Sequence, residues 1–216
     1  MEAELIRRAE SFLKDIFASS AYLQDNPADR DYRLEHSYRV ANIAKKIAQA
    51  EGFNATYAVI AGLLHDIAYC DEMSSKEDRM NHGRKSAAIA RPFLNSLGID
   101  PDAVNDICYA IAIHVDDKAD FEWIRTPFSE TVGDADNIDR FDAYRIYETL
   151  EYIKFSEMTL AAKHEKVKTM IEKLVKLKEI QLGTETARTL WLQRLDFYLC
   201  FYQKLMTQLN NSSCVL

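Results

Sequence analysis

The chain has 216 residues, 48% of them hydrophobic and 28% charged, enough apolar side chain to build one sizeable core or two modest ones and to exclude general disorder. Six glycines and four prolines are less than half of the roughly 12% that these residues contribute on average, so connections are few and elements long, which argues against a β-sandwich turning every ten residues. With 27 basic against 34 acidic side chains, the net charge of −7 is opposite in sign to that of a protein built for duplex nucleic acid or an anionic membrane surface, while a locally basic pocket for a phosphorylated small molecule stays open.

Helical periodicity recurs along almost the whole chain. Residues 2–19 put Leu5, Ala9, Phe12, Leu13 and Ile16 on one side at three-four spacing. Residues 31–50 repeat the pattern with Val40, Ile43, Ala44 and Ile47, and Gly52 follows as a stop signal. The stretch 54–70 is apolar nearly all round and predicts a buried central helix. Residues 71–81 form a polar loop without period, and a helix over 83–97 carries Pro92, which predicts a bend or break.

Asp100-Pro101 is a cap followed by a first-turn proline, opening a helix that reaches Ile113. A second polar loop covers 115–125. Thr126-Pro127 repeats the cap-proline signature and starts a helix through about 153. The tail reads as a lysine-rich amphipathic helix over 156–180, a break at Gly183 and a last helix over 184–209. No repeat or linker interrupts the chain, so a single helical domain over 1–216 is expected, with a core at about 30–150 and a C-terminal helical extension at about 156–210.

The four cysteines, Cys70, Cys108, Cys200 and Cys214, contain no C-x-x-C pair, which argues against a disulfide framework or a thiolate metal site and fits a reducing compartment. The amino terminus is charged and amphipathic rather than a signal peptide, and no apolar run approaches the roughly 18 residues of a membrane span. A cytoplasmic protein is expected.

The five histidines are more informative. His36 lies four residues before Val40 and seven before Ile43, on the apolar stripe. His65 shares its face with Ala58, Ala61 and Gly62, small neighbours that leave a recess for another helix or an ion. His114 follows Ile111 by three and Ile107 by seven, and Asp136 follows Val132 by four. Asp134 is rotated roughly 200° from Asp136 on the same helix. A lone histidine on an apolar stripe is ordinarily a satisfied core residue. Several ionisable groups aimed inward from different helices are costly, however, and a divalent cation compensates two carboxylates and accepts imidazole lone pairs. His164 has no such company.

The runs HSYRVA from His36, GLLHDIA from Gly62 and DADNID from Asp134 resemble the HD-domain superfamily of metal-dependent phosphohydrolases, with His65-Asp66 as the paired motif. The softer runs HEKVK from His164, LVKLK from Leu174 and TETAR from Thr184 resemble small stand-alone bacterial members that act on nucleotides. The resemblance implies an all-α HD-domain bundle with additional C-terminal helices. It implies His36, His65, Asp66 and Asp136 as ligands of a divalent ion (Mn, Fe, Co, Ni or Mg), with Asp134 the substitute should the helix register slip. His82 and His114 correspond in some members to ligands of a second metal and in others to groups touching substrate. A His82 at a loop edge and the lack of a His-His pair favour a single ion.

Such a site supports attack of metal-activated water on phosphorus, with Asp66, His82 and His114 as the catalytic residues. Arg84 and Lys85 after His82, and Lys118 after His114, are expected on the polar loops as cations for the substrate phosphate. Tyr69, Phe121 and Trp123 are candidates to stack on a base, with core packing as their ordinary role. The expected activity is hydrolysis of a phosphate ester or anhydride, a nucleotide being the expected partner and a homodimer conceivable on base rates. The alternatives are a di-iron oxygenase, which requires both His82 and His114 as second-site ligands, and a non-catalytic regulatory module stabilised by its metal.

Overall fold

A computed structural model describes residues 2–213. These form the helices α1 (Glu2–Ser19), α2 (Ala21–Asp25), α3 (Pro27–Glu51), α4 (Ala55–Leu64), α5 (Lys76–Asn95), α6 (Pro101–Ile113), α7 (Pro127–Asp139), α8 (Ala143–Tyr152), α9 (Leu160–Leu177) and α10 (Glu185–Asn210). Short 3-10 turns occupy Ile67–Cys70 and Phe155–Glu157, and there is no strand among the described residues. The all-α class is as expected. Among the described residues no helix is long and apolar enough to cross a membrane. Cys214 lies outside the described residues.

The chain divides into two compact units, Met1–Asn137 and Ile138–Leu216, with the boundary inside α7. In the first unit α1, α4, α5 and α6 close a core that includes Leu13, Phe17, Ile60, Leu64, Leu94 and Ile107, all fully buried. Phe12 of α1 stacks on Phe93 of α5 with ring centroids 4.2 Å apart. Two glycines set the closest helix approaches. A Cβ on Gly62 would stand 2.7 Å from the Ala41 Cα, so α3 and α4 meet backbone to backbone there. A Cβ on Gly83 would stand 2.7 Å from the Ala112 carbonyl oxygen, which presses α5 equally hard onto α6.

The expected helix over 54–70 ends at Leu64 and gives way to the 3-10 turn, whose Ala68 amide donates to Ser86 Oγ at 3.1 Å. The expected polar loop over 71–81 is half helix, because α5 starts at Lys76. A capping box begins it: Ser75 Oγ accepts from the Asp78 amide at 2.9 Å, and the Asp78 carboxylate accepts from the Ser75 amide at 3.0 Å. His82, Arg84 and Lys85 therefore stand within a helix, not at a loop edge. Pro92 does not end α5, which runs on to Asn95. One turn from the terminus, a missing amide removes a single ladder bond.

The helix expected from 127 to about 153 is two helices. In the second unit Arg194 donates to the carbonyls of Ile138 (3.0 Å) and Phe141 (3.4 Å), taking up acceptors that a helix end leaves open, and Asp142 caps α8 at the Ala143 amide. Trp191, which donates to the Leu177 carbonyl at 2.9 Å, joins α10 to α9 over the buried Val167, Leu174 and Leu195. His164 lies in this unit, half-buried on α9.

Candidate metal centre

In the first unit, α3, α4, α5, α6 and α7 each send a side chain to one point. His36 comes from the middle of α3 and His65 from the end of α4. Asp66 follows directly with φ −104° and ψ 14°, and this bridge-region backbone lets two consecutive side chains converge instead of diverging by the 100° of a helix. His82 lies in α5, His114 caps the end of α6, and Asp136 lies in α7. His36, His65, Asp66, His82 and Asp136 are buried, and the His114 side chain is only 2% exposed.

His36 Nε2 stands 3.2 Å from Asp136 Oδ1, 3.3 Å from His65 Nε2 and 3.6 Å from Asp66 Oδ2. On the other side of Asp66, Oδ1 is 3.0 Å from His82 Nε2 and 3.7 Å from His114 Nε2, and these two nitrogens are 3.0 Å apart. Two sets of possible ligands result, His36-His65-Asp66 and Asp66-His82-His114, with Asp66 common to both. Asp134, two residues before Asp136, is buried as well.

The outer nitrogens show why these rings suit a cation. Nδ1 of His65, His82 and His114 meets the carbonyl oxygen three residues earlier, of Gly62 (2.8 Å), Arg79 (2.6 Å) and Ile111 (2.7 Å). A carbonyl can only accept, so each Nδ1 carries the proton and each Nε2 of a neutral ring turns a bare lone pair to the centre. Lone pairs 3.0 Å apart repel unless a positive charge lies among them. Backbone carbonyls that fix the tautomer are the outer support that metal-binding imidazoles ordinarily have. The donors are nitrogen and oxygen only, which suits a borderline or hard divalent ion and not a thiolate zinc site. The residues present therefore fit a divalent cation.

Electrostatics agree for His65 and Asp66 and differ for His82. Burial drives the His65 pKa down to about 4, keeping that ring neutral. Burial works against the Asp66 charge, but the surrounding imidazoles and the Arg33 guanidinium hold its carboxyl well below the usual range. Burial also disfavours a His82 imidazolium; the hydrogen bond and charge of Asp66 outweigh it, so the shift is upward.

Arg33 has no place in the sequence expectations. Its Nη1 donates to Asp66 Oδ2 at 2.9 Å, and its guanidinium lies 3.4 Å from the Tyr69 ring centroid and 5.4 Å from that of Tyr32. The signal for it was its position three residues before His36, on the same face of α3.

Of the residues expected around a phosphate, Arg84 donates to Asp116 Oδ1 at 2.7 Å and to Asn81. It lies two residues, about 200°, round α5 from His82. Lys85 pairs with exposed Asp71 at 2.6 Å, and Lys118 is exposed on the α6–α7 loop. Arg84 and Lys85 are thus each engaged by a carboxylate. Phe121 packs on Tyr109 and under Arg91, and Trp123 donates to Asp106, whereas Tyr69 lies against His82 with ring centroids 5.0 Å apart.

A bundle that gathers four imidazoles and two carboxylates around an adjacent His-Asp pair defines a class, and the sequence falls in it: the HD domain family matches over residues 33–144. The chain belongs to the HD-domain family. A predicted HD-superfamily hydrolase from an uncultured Thermotogales bacterium superposes with a TM-score of 0.64 and 23% identity, over 94% of this chain and 91% of that one. An HD-superfamily hydrolase from Bacillus thuringiensis gives a TM-score of 0.67 and 22% identity, over 99% and 100%. At these identities the likeness is one of fold. No curated protein matches the chain.

Proposed function

We propose that the chain is a metal-dependent phosphohydrolase that cleaves a phosphate ester or anhydride of a small molecule, a nucleotide being the favoured substrate. The observation that carries this reading is the set of three imidazoles whose Nδ1 protons are tied to backbone carbonyls while their Nε2 atoms surround Asp66. His36, His65, Asp66 and Asp136 would hold the ion. A divalent ion bound there would lower the pKa of its water toward neutrality and polarise a phosphoryl oxygen.

In the reaction, a water oxygen bonds to phosphorus as the bond from phosphorus to the leaving oxygen breaks, one water proton ending on the phosphate product. Asp66 orients the water through a carboxylate that the surrounding imidazoles and Arg33 keep ionised. The other water proton passes to the bare Nε2 of His82 or His114, which hands it on to the leaving oxygen.

The test combines elemental analysis of the purified protein with a screen of phosphate monoesters and nucleotides in the presence of Mn, Fe, Co, Ni or Mg. The expected result is metal-dependent release of phosphate or pyrophosphate that disappears in Asp66→Ala. A metal-loaded protein that hydrolyses nothing in the panel overturns the reading. The Asp66-His82-His114 set favours one other reading, a two-iron centre that consumes O₂. Two irons per chain with oxygen uptake and no phosphate release would establish it.

A further inference from the structure

A cavity of about 350 Å³ opens beside the candidate centre in the first unit. Its walls include Tyr22, Tyr32, Arg33 and Tyr69, and exposed Asp29 and Glu72 stand on its solvent side. Three of these four inner residues also touch the centre. Arg33 donates to Asp66, Tyr32 stacks on His36 with centroids 6.1 Å apart and an interplanar angle of 2°, and Tyr69 leans on His82. Arg79, which lines the same cavity, supplies the carbonyl that fixes His82 Nδ1.

Its size is at the low end of ligand sites, roughly 300–1,000 Å³, and suits one ring-bearing group rather than a long polymer segment. Arg33 carries five N–H donors; Nη1 donates to Asp66 and the side chain also hydrogen-bonds to Tyr69, which leaves part of the fork for an anion placed between the cavity and the carboxylate. Its guanidinium is held over Tyr69, which fixes the fork before any ligand arrives. The tyrosine rings offer flat faces. Asp29 and Glu72 offer only acceptors when ionised, and so select a partner bearing N–H donors; Asp29 already accepts from the Tyr22 hydroxyl at 2.9 Å.

We infer that this cavity receives the organic group of the phosphorylated substrate, a flat heteroaromatic ring bearing N–H donors, with Arg33 anchoring the phosphoryl end beside Asp66 and with Asp29 and Glu72 facing the ring's donors. The inference rests on the phosphohydrolase reading for its phosphoryl end, and it assigns a ring site that the metal ligands alone do not imply.

The test is calorimetric titration of the metal-loaded protein with two probes that share the sugar phosphate, adenosine 5′-monophosphate and ribose 5-phosphate. Adenosine 5′-monophosphate is expected to bind at least about tenfold more tightly, since stacking on aromatic side chains is worth about 1–3 kcal/mol per base. Arg33→Gln is expected to weaken both probes by about tenfold or more, the loss of a charge-assisted bond, measured on protein loaded to the metal content of the parent. The exposed pair Asp29→Asn with Glu72→Gln should shrink the advantage of the adenine probe and leave ribose 5-phosphate as it was, whereas Tyr69→Leu, which also removes the support under Arg33, should weaken both probes and the adenine probe more. Arg91→Gln, on another cavity, is the control expected to change neither.

Equal affinities for the two probes, or an Arg33→Gln protein that binds both as well as the parent, overturn the inference. If Arg33→Gln fails to fold, Arg33→Lys and the two exposed substitutions decide. Failure of the parent reading looks different. Ring-selective binding without any phosphate release would leave the pocket standing and end the hydrolase proposal, whereas hydrolysis with no dependence on these residues would do the reverse.

Discussion

Two cavities of the first unit touch α5, and they differ in what their arginines reach. The larger, about 460 Å³, is walled by Ala87, Ala88, Pro92, Ala112 and Phe121 together with Arg84 and Arg91. Arg84 is committed to Asp116, and Arg91 donates to Asn105 Oδ1 at 2.7 Å and lies 4.4 Å over the Phe121 ring. The smaller cavity has Arg33, which donates to Asp66 at the candidate centre itself, and Arg79, which donates to the Met73 carbonyl at 2.9 Å. Volume and positive charge alone would rank the larger first. Adjacency to the convergent imidazoles ranks the smaller first, and chemistry requires adjacency.

The sharpest break in this comparison comes from the carboxylate common to both ligand sets. Asp66→Asn should abolish stoichiometric metal binding and lower phosphate release on the order of 100- to 10,000-fold, read by elemental analysis and steady-state kinetics. It should also loosen Arg33, whose ionic partner it removes, so phosphate affinity falls as well. A protein that keeps its metal without the Asp66 charge would mean that the ion sits elsewhere and that the imidazoles serve packing alone.

The next effect concerns the scaffold under the two sites. Gly62→Ala must push the Ala41 backbone away, and Gly83→Ala must displace the Ala112 and Ile111 carbonyls, 2.7 and 3.0 Å from the new methyl. Neither obstacle is the flexible end of a side chain. Each substitution should cost about 1–3 kcal/mol in denaturant unfolding, as overpacking usually does. Gly83→Ala should also weaken metal binding, because its methyl would come within 3.1 Å of His114 Nδ1.

Arg84→Gln gives a smaller effect of a different kind. Its side chain and that of Asp116 are 14% and 10% exposed, so removing the guanidinium leaves a carboxylate short of its partner. A loss of about 1–3 kcal/mol is expected, with KM for any phosphorylated substrate moved far less than by Arg33→Gln. A KM effect equal to that of Arg33→Gln would reverse the ranking of the two cavities.

The sequence spoke clearly where periodicity and residue chemistry coincide. His36, His65, His114 and Asp136 lie on apolar stripes, and a stripe on a long helix fixes where its polar member points; all four are at the centre. It spoke less clearly at element boundaries. The capping box at Ser75 turned an expected loop into the first turn of α5, and that rotation decides that His82 faces in and Arg84 faces away. The break at Asp66 was hidden because an apolar run looks the same as a helix or as a helix followed by a 3-10 turn. Arg33 escaped because an arginine on an amphipathic helix ordinarily meets water, and only the tertiary approach of Asp66 and Tyr69 gives it partners.

The smallest expected effect is a gain, and it isolates packing from conformational entropy. Gly133 lies within α7, beside the end of α6, and a Cβ there would meet His114 Cα and the His114 carbonyl oxygen at 3.5 Å, an ordinary van der Waals contact. Its backbone is helical, where glycine costs about 1 kcal/mol relative to alanine. Gly133→Ala should therefore stabilise the protein by up to about 1 kcal/mol in denaturant unfolding and leave metal content unchanged, the opposite sign to Gly83→Ala on the other side of the same histidine. If both glycines respond alike, the tight approach at Gly83 is not what sets the α5–α6 distance, and the positions of His82 and His114 must be fixed by their carbonyl hydrogen bonds instead.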